Sequence, residues 1–192
     1  MGTTQPIKSI KELDALKDYY LTQKPNLRNY ALICTGVNTA LRIGDILGLT
    51  WEDVYNFNTN SFREHIIIRE KKTGKENIIA TNKNMVQGLR LYMDSLPAVM
   101  PSHFIFSGRQ AELPISRIQA FRIIKEAGTQ LELSSNISCH SLRKTFGYHA
   151  WISGVSPAIL MIIYNHSSFQ VTKRYLGIDQ EDKDRVFLNL NL

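Results

Sequence analysis

At 192 residues, with 43% apolar and 21% charged side chains, the chain has the make-up of one globular domain, not of a disordered or fibrous protein. Its 23 Lys and Arg outweigh 17 Asp and Glu, giving a formal charge of +6 and a pI near 9.3, which favours a polyanionic partner without naming one. No apolar run approaches the roughly 18 residues of a membrane span, and the N-terminus lacks the basic-then-apolar order of a signal peptide, so a soluble cytoplasmic protein with no membrane partner is expected.

Residues 1–8 are expected to be a flexible lead-in. From Ser9 to Leu21 the apolar positions Ile10, Leu13, Leu16, Tyr19 and Tyr20 recur at helical spacing, with Ser9 placed as N-cap. A second helix runs from about Leu27 to Ala40, and its nearly unbroken apolar stretch (Tyr30, Leu32, Ile33, Val37) marks it as buried on most sides. Ile43 to Leu49 reads as a short helix, with a new start after Thr50. Two Ile-rich runs, Glu64 to Arg69 and Asn77 to Thr81, flank Lys71-Lys72-Thr73-Gly74-Lys75 and form a β-hairpin turning at Thr73-Gly74. Helical periodicity returns from Lys83 to Leu96. Phe104-Ile105-Phe106 is too short for anything but a strand or a buried loop. Ile115 to Ala127, His140 to Ile152 and Pro157 to Tyr164 read as helices, and Thr172 to Leu176 as a further one. Glu181 to Leu192 is an amphipathic tail. The expectation is a single domain over 1–192, mainly α with a small antiparallel β-sheet. Cys34 and Cys139 support neither a disulfide framework nor a four-ligand zinc site.

Chemistry concentrates in a few places. In His140-Ser141-Leu142-Arg143 a His and an Arg three apart share a helix face. Downstream come His166, in Tyr164-Asn165-His166-Ser167-Ser168, and then Tyr175, in Thr172-Lys173-Arg174-Tyr175. Upstream, Arg42 sits at a helix junction in Ala40-Leu41-Arg42-Ile43-Gly44-Asp45-Ile46-Leu47, ahead of the lysines of the hairpin. The order is Arg, Lys, His-x-x-Arg, His, Tyr. Alone, Tyr175 would be a core aromatic, Lys72 a solvated turn residue and Arg42 a helix cap. His65, His103 and His149 have no place in the pattern.

In that order and spacing the chain, from about Leu27 onward, resembles the phage-integrase family of tyrosine recombinases. The resemblance implies the fold of their catalytic domain and a catalytic set of Arg42, Lys72, His140, Arg143, His166 and Tyr175, with Lys72 chosen as the first residue of Lys-Thr-Gly and Lys71 and Lys75 as the alternative lysines. It departs from the pattern at Tyr164-Asn165, where the family usually shows Leu-Gly, and an altered local packing is expected there. Tyr175 would attack a scissile phosphate of double-stranded DNA, Arg42 and Arg143 would clamp its oxygens, and His140 would take the phenolic proton. His166 would hydrogen-bond the phosphate, and Lys72 would protonate the leaving 5′ oxygen. No metal, cofactor or small-molecule substrate is called for. Lys71, Lys75, Arg109, Arg117, Arg122, Lys144, Lys173 and Arg174 are candidate DNA contacts.

The implied activity is site-specific recombination by a tetramer on paired sites, through a 3′-phosphotyrosyl link. A type IB topoisomerase-like nicking and closing enzyme, or a recombinase-derived DNA-binding accessory protein, are the alternatives. The N-terminal core-binding domain usual in the family is expected to be absent from these residues, through either a truncation or a naturally short form, and DNA binding without it is expected to be weak and salt-sensitive. Residues 181–192 are expected either to pack on their own domain or to dock on a neighbouring protomer.

Overall fold

The helices begin where the sequence supplies short polar capping residues. In the computed structural model, which describes residues 4–190, side-chain oxygens of Ser9, Asn26, Asn82, Ser116, Ser138, Ser156 and Asp179 each accept a backbone N–H of the first turn that follows. They open α1 (Ile10–Asp18), α2 (Leu27–Thr39), α5 (Lys83–Asp94), α6 (Arg117–Gln130), α7 (Cys139–Ile152), α8 (Pro157–Ile163) and α10 (Gln180–Asn189) in that order. The short α3 (Ile43–Ile46) and α4 (Trp51–Val54) lie between α2 and the strands, and α4 carries a capping box of Thr50 and Asp53. Helix α9 (Phe169–Leu176) starts after Ser168, three residues earlier than the sequence pattern suggests. The first helix widens at its end, running on as one π-helical stretch, Tyr19–Gln23, that turns Tyr19 and Tyr20 into the core.

The strands form two separate antiparallel ladders in place of one small sheet. β1 (Tyr55–Asn56) pairs β2 (Ser61–Phe62), and β3 (His65–Arg69) pairs β4 (Glu76–Ala80) in the register His65↔Ala80 to Arg69↔Glu76. The second ladder is the expected hairpin, with Gly74 at φ 67 in its turn. Phe104 to Phe106 is a buried loop held by single bridges, Ile105 N–H donating to Leu49 and Ile115 N–H to Phe106.

Helix α2 is the centre of the main core, burying Tyr30, Ala31, Leu32, Ile33 and Cys34 together. It meets α7 so closely that a Cβ on Gly36 would lie 2.5 Å from Leu142. A smaller cluster, Ala40, Leu160, Tyr164 and Leu176, joins α8 and α9 to the end of α2. The seam between the two clusters is where the candidate catalytic side chains gather.

Residues 1–3 lie outside the described residues, but 4–8, expected as a flexible lead-in, are fastened along the fold. Ile7 is fully buried, its N–H donating to Thr145 Oγ1 and its carbonyl oxygen lying 2.9 Å from His149 Nε2, and Lys8 pairs with Asp179 and Asp182 of the α10 start. Burial of one Ile side chain stabilises by about 2 kcal/mol, which is the reason this segment lies down. No helix among the described residues is long and apolar enough to cross a membrane.

Candidate active site

The end of α2 sets the site. Ala40 reverses the chain at φ 55, a left-handed conformation that alanine adopts only when its surroundings hold it there. The reversal has two results. It aims the Ala40 carbonyl at Arg143 Nη1, and it brings Arg42 round as the N-cap residue of α3.

Arg143 is 1% exposed, one turn into α7. Its Nη2 donates to the Tyr164 carbonyl at 2.9 Å, and its guanidinium carbon stands 4.6 Å from the Tyr164 ring centroid and 5.6 Å from that of Tyr175. The Nε is buried with no hydrogen-bond partner among the described residues. Tyr164 answers from the other side, its hydroxyl donating to the Arg143 carbonyl at 2.8 Å.

Tyr175, half-buried on α9, is ringed by aromatics: His140 at 4.8 Å, His166 at 4.6 Å and Tyr164 at 5.2 Å between centroids. His166 lies nearly flat on Tyr164, and its Nδ1 is 3.0 Å from Thr172 Oγ1. The turn that delivers it holds Asn165 at φ 53. Thus the departure at Tyr164-Asn165 has a structural meaning: Tyr164 supports Arg143, and Asn165 takes the left-handed conformation open to Gly.

Arg42, Lys72, His140, Arg143 and Tyr175 line one cleft of about 660 Å³, with Lys71 and Arg117 on its walls. His166 does not line it. Its ring packs edge-on against Tyr175 and is held through Nδ1 by Thr172, which leaves Nε2 uncommitted among the described residues. A second, wider opening of about 1280 Å³ shares His140 and Tyr175 with the first and is lined by Lys144, Lys173 and Arg174. Lys144 is buried and donates to the Thr4 carbonyl at 2.6 Å, so its donors are partly engaged. Lys75, Arg109 and Arg122 are exposed and line neither opening.

Cations dominate the electrostatics. His140 sits exposed at the mouth, yet partial desolvation, then Lys144, Arg143, Arg42 and Lys72, pull its imidazole from 6.5 down to about 4. Desolvation, then Arg143 and Arg42, lower His166 likewise to about 4, partly opposed by Glu70. Both rings are neutral at pH 7 and able to accept a proton. Burial lowers Arg143 and Lys144 from their ordinary values, with Arg42 adding to the effect at Arg143.

Two carboxylates that the sequence pattern did not single out organise this ground. Asp45, buried on α3, accepts the Lys71 N–H at 2.9 Å and so moors the hairpin tip. Its place three residues after Arg42, inside the quoted motif, was a usable signal. Glu70, fully buried at the end of β3, is ion-paired to Arg42. Among the described residues no three His, Cys, Asp or Glu side chains gather as a metal site.

Comparison with known proteins gives this arrangement its class. The model of the phage integrase family matches residues 9–182, so the chain belongs to the phage integrase family. Its fold is that of a tyrosine recombinase catalytic domain. Over 181 residues it is 38% identical to a probable integrase/recombinase, YoeC, of Bacillus subtilis (strain 168), covering 94% of this chain and 93% of that protein. Tyrosine recombinase XerD of Corynebacterium glutamicum is 26% identical over 178 residues, covering 91% of this chain but 56% of the relative. The chain therefore spans nearly all of the first and little over half of the second. Among solved structures, XerA recombinase superposes with a TM-score of 0.78 at 19% identity over 99% of this chain and 68% of that one. A lambda integrase dimer bound to a COC′ core site gives 0.71 at 16% identity, over 96% and 50%.

Proposed function

We propose that this domain cleaves and rejoins double-stranded DNA in site-specific recombination, with Tyr175 as nucleophile. The observation that carries the reading is the convergence of Arg42, Lys72, His140, Arg143 and Tyr175 on one cleft. The Tyr175 Oη attacks the scissile phosphorus, forming the 3′-phosphotyrosyl bond as the bond to the 5′ oxygen breaks. His140, neutral at pH 7, takes the phenolic proton, and Lys72 donates one to the departing 5′ oxygen. The guanidinium groups of Arg42 and Arg143 bind the non-bridging oxygens, where charge accumulates in the transition state. His166 holds the Tyr175 ring and contributes to the field of the cleft. Rejoining runs the same proton transfers backwards, with a 5′ hydroxyl as attacker.

DNA as substrate is favoured by the basic walls of both openings, Lys71, Arg117, Lys144, Lys173 and Arg174, and by solved relatives whose structures are complexes with DNA. Lys75, Arg109 and Arg122 serve flanking phosphates on this reading. Assembly into a tetramer on two sites is favoured by the C-terminal segment, where Val186, Phe187 and Leu188 of α10 and Leu190 just after it are 60% to 79% exposed, apolar surface suited to a neighbouring protomer.

The direct test is a nicked suicide duplex that loses its 5′-hydroxyl fragment on cleavage. Wild-type protein is expected to leave a covalent protein–DNA adduct, and Tyr175→Phe none. A wild-type chain that yields no adduct on any DNA, or an adduct that survives Tyr175→Phe, overturns the assignment.

A further inference from the structure

Arg42, Lys72 and His166 come from three segments far apart in the chain, of which Asp45 ties only the first two: the start of α3, the β3–β4 tip and the turn between α8 and α9. One side chain reaches all three. Glu70 lies in Arg69-Glu70-Lys71-Lys72, a run whose composition reads as a solvated turn, yet it is 0% exposed. Its Oε2 accepts from Arg42 Nη1 and from Thr73 Oγ1 at 3.0 Å, and its Oε1 from Asn77 Nδ2 and Asn165 Nδ2, each at 3.0 Å. Those four bonds match the acceptor capacity of a carboxylate and account for a charge held away from water. Burial alone would raise this carboxyl, but the bonds from Asn165, Arg42, Thr73 and Asn77 hold it below the usual glutamate value.

The partners divide into two kinds. Thr73 and Asn77 belong to the hairpin and would suffice to staple its turn. Arg42 and Asn165 lie outside it, 28 and 95 residues away in the chain, and contribute nothing to forming a β-turn. The Asn165 amide reaches Glu70 from a backbone at φ 53, so the left-handed turn ahead of His166 is fixed by a side chain that Gly would lack. With one N–H committed to Glu70, the Arg42 guanidinium has a fixed orientation and keeps further donors for a ligand in the cleft it lines.

We infer that Glu70 is a positioning residue: together with Asn165 it sets Arg42, the Lys72 tip and the His166 turn in one register, and on the reading above this readies the phosphate site before DNA arrives. It does not touch the reacting atoms.

The test uses the full chain, single-turnover cleavage of the suicide duplex and thermal melting, with Glu70→Gln, Glu70→Asp and Asn165→Gly. Glu70→Gln preserves shape but removes the charge and turns a donor toward donors. Its rate at saturating DNA is expected to fall about 10- to 100-fold, with the half-saturating DNA concentration changed less than about threefold. Glu70→Asp recovers part of the rate. Asn165→Gly loses about threefold to tenfold, while relief of the left-handed strain offsets part of the stability lost with the bond to Glu70. A folded Glu70→Gln that cleaves within about twofold of wild type overturns the inference, as does a rate that follows melting temperature alone with Asp no better than Gln. If wild type forms no adduct, the recombinase reading falls and the inference is judged by ¹⁵N NMR of the free protein. Glu70→Gln then shifts the His166 ring and Arg42 guanidinium signals if Glu70 positions them, and unchanged signals overturn it.

Discussion

Tyr164 acts beneath two catalytic candidates at once, with Arg143 over its face and His166 stacked on it. The space for its phenol exists because residue 147 has no side chain: a Cβ there would fall 2.1 Å from Tyr164 Oη. Gly147→Ala is therefore expected to expel the phenol, break its bond to the Arg143 carbonyl and destabilise the fold by about 2–4 kcal/mol, measured by urea unfolding. Adduct formation should slow with it, since both Arg143 and His166 lose their support. The two imidazoles give a pH prediction. Each falls from 6.5 to about 4 on folding, so between those values the unfolded chain binds more protons than the folded one. Stability attributable to the pair is complete above pH 6.5, declines on acidification through that window and stops changing below about 4. Melting temperature against pH should show this slope, and His166→Gln should flatten it. Glu70, also lowered, adds a loss in the same direction at more acid pH. A DNA phosphate brings an opposing charge to these rings, so proton uptake on DNA binding at pH 5–6 is expected by calorimetry in buffers of different ionisation enthalpy.

Among the elements, α9 carries the most consequence for its eight residues, because Tyr175, the proposed nucleophile, sits in its last turn. Gly177 stops it at φ 60, and a Cβ there would lie 2.6 Å from Pro6 Cγ. Gly177→Ala should cost about 1–3 kcal/mol, from the left-handed backbone and the clash together. Amide exchange is expected to quicken in α9 first. Helices with clear periodicity and caps, such as α1, α5 and α7, were legible in the sequence to within a few residues, as was the β3–β4 hairpin. The two-residue strands β1 and β2 were not, since strands so short have no alternation to detect. Nor was the π-helical end of α1, which tertiary burial of Tyr19 and Tyr20 imposes. At the site, the ordered Arg, Lys, His, Arg, His and Tyr could be read because their chemistry is rare in that order. Glu70 could not, because its burial depends on Asn165, far away in the chain. His166 was legible as a residue, but its seat under Tyr175 was not, because Thr172 holds the ring from another element.

At the scale of the whole molecule, α10 is fixed at one end and free at the other. Asp182, buried, hydrogen-bonds Tyr148 and pairs with Lys8, whereas the apolar side chains from Val186 onward are exposed. Removing residues after Asp184 keeps the anchor and deletes the exposed face. The shortened chain is expected to melt within about 4 °C of the full one, a change near 1 kcal/mol, and to lose self-association in sedimentation. Affinity for DNA, which on the proposed reading rests on Lys71, Arg117, Lys173 and Arg174, should fall steeply with added salt, read as the slope of log K against log salt.

The bonds of residues 4–8 bear on the order in which the molecule can be made. Ile7 to Thr145 and Lys8 to Asp182 span 138 and 174 residues, so these contacts need segments far apart in the chain to be in place together. Contacts of such separation form late and slowly. Helix α9 with Tyr175, clasped at Gly177 by Pro6, is then among the last parts to lock during refolding, and a fusion placed directly ahead of these residues loads the same clasp. Moving an affinity tag from one end of the protein to the other is consequently a perturbation of the tyrosine itself.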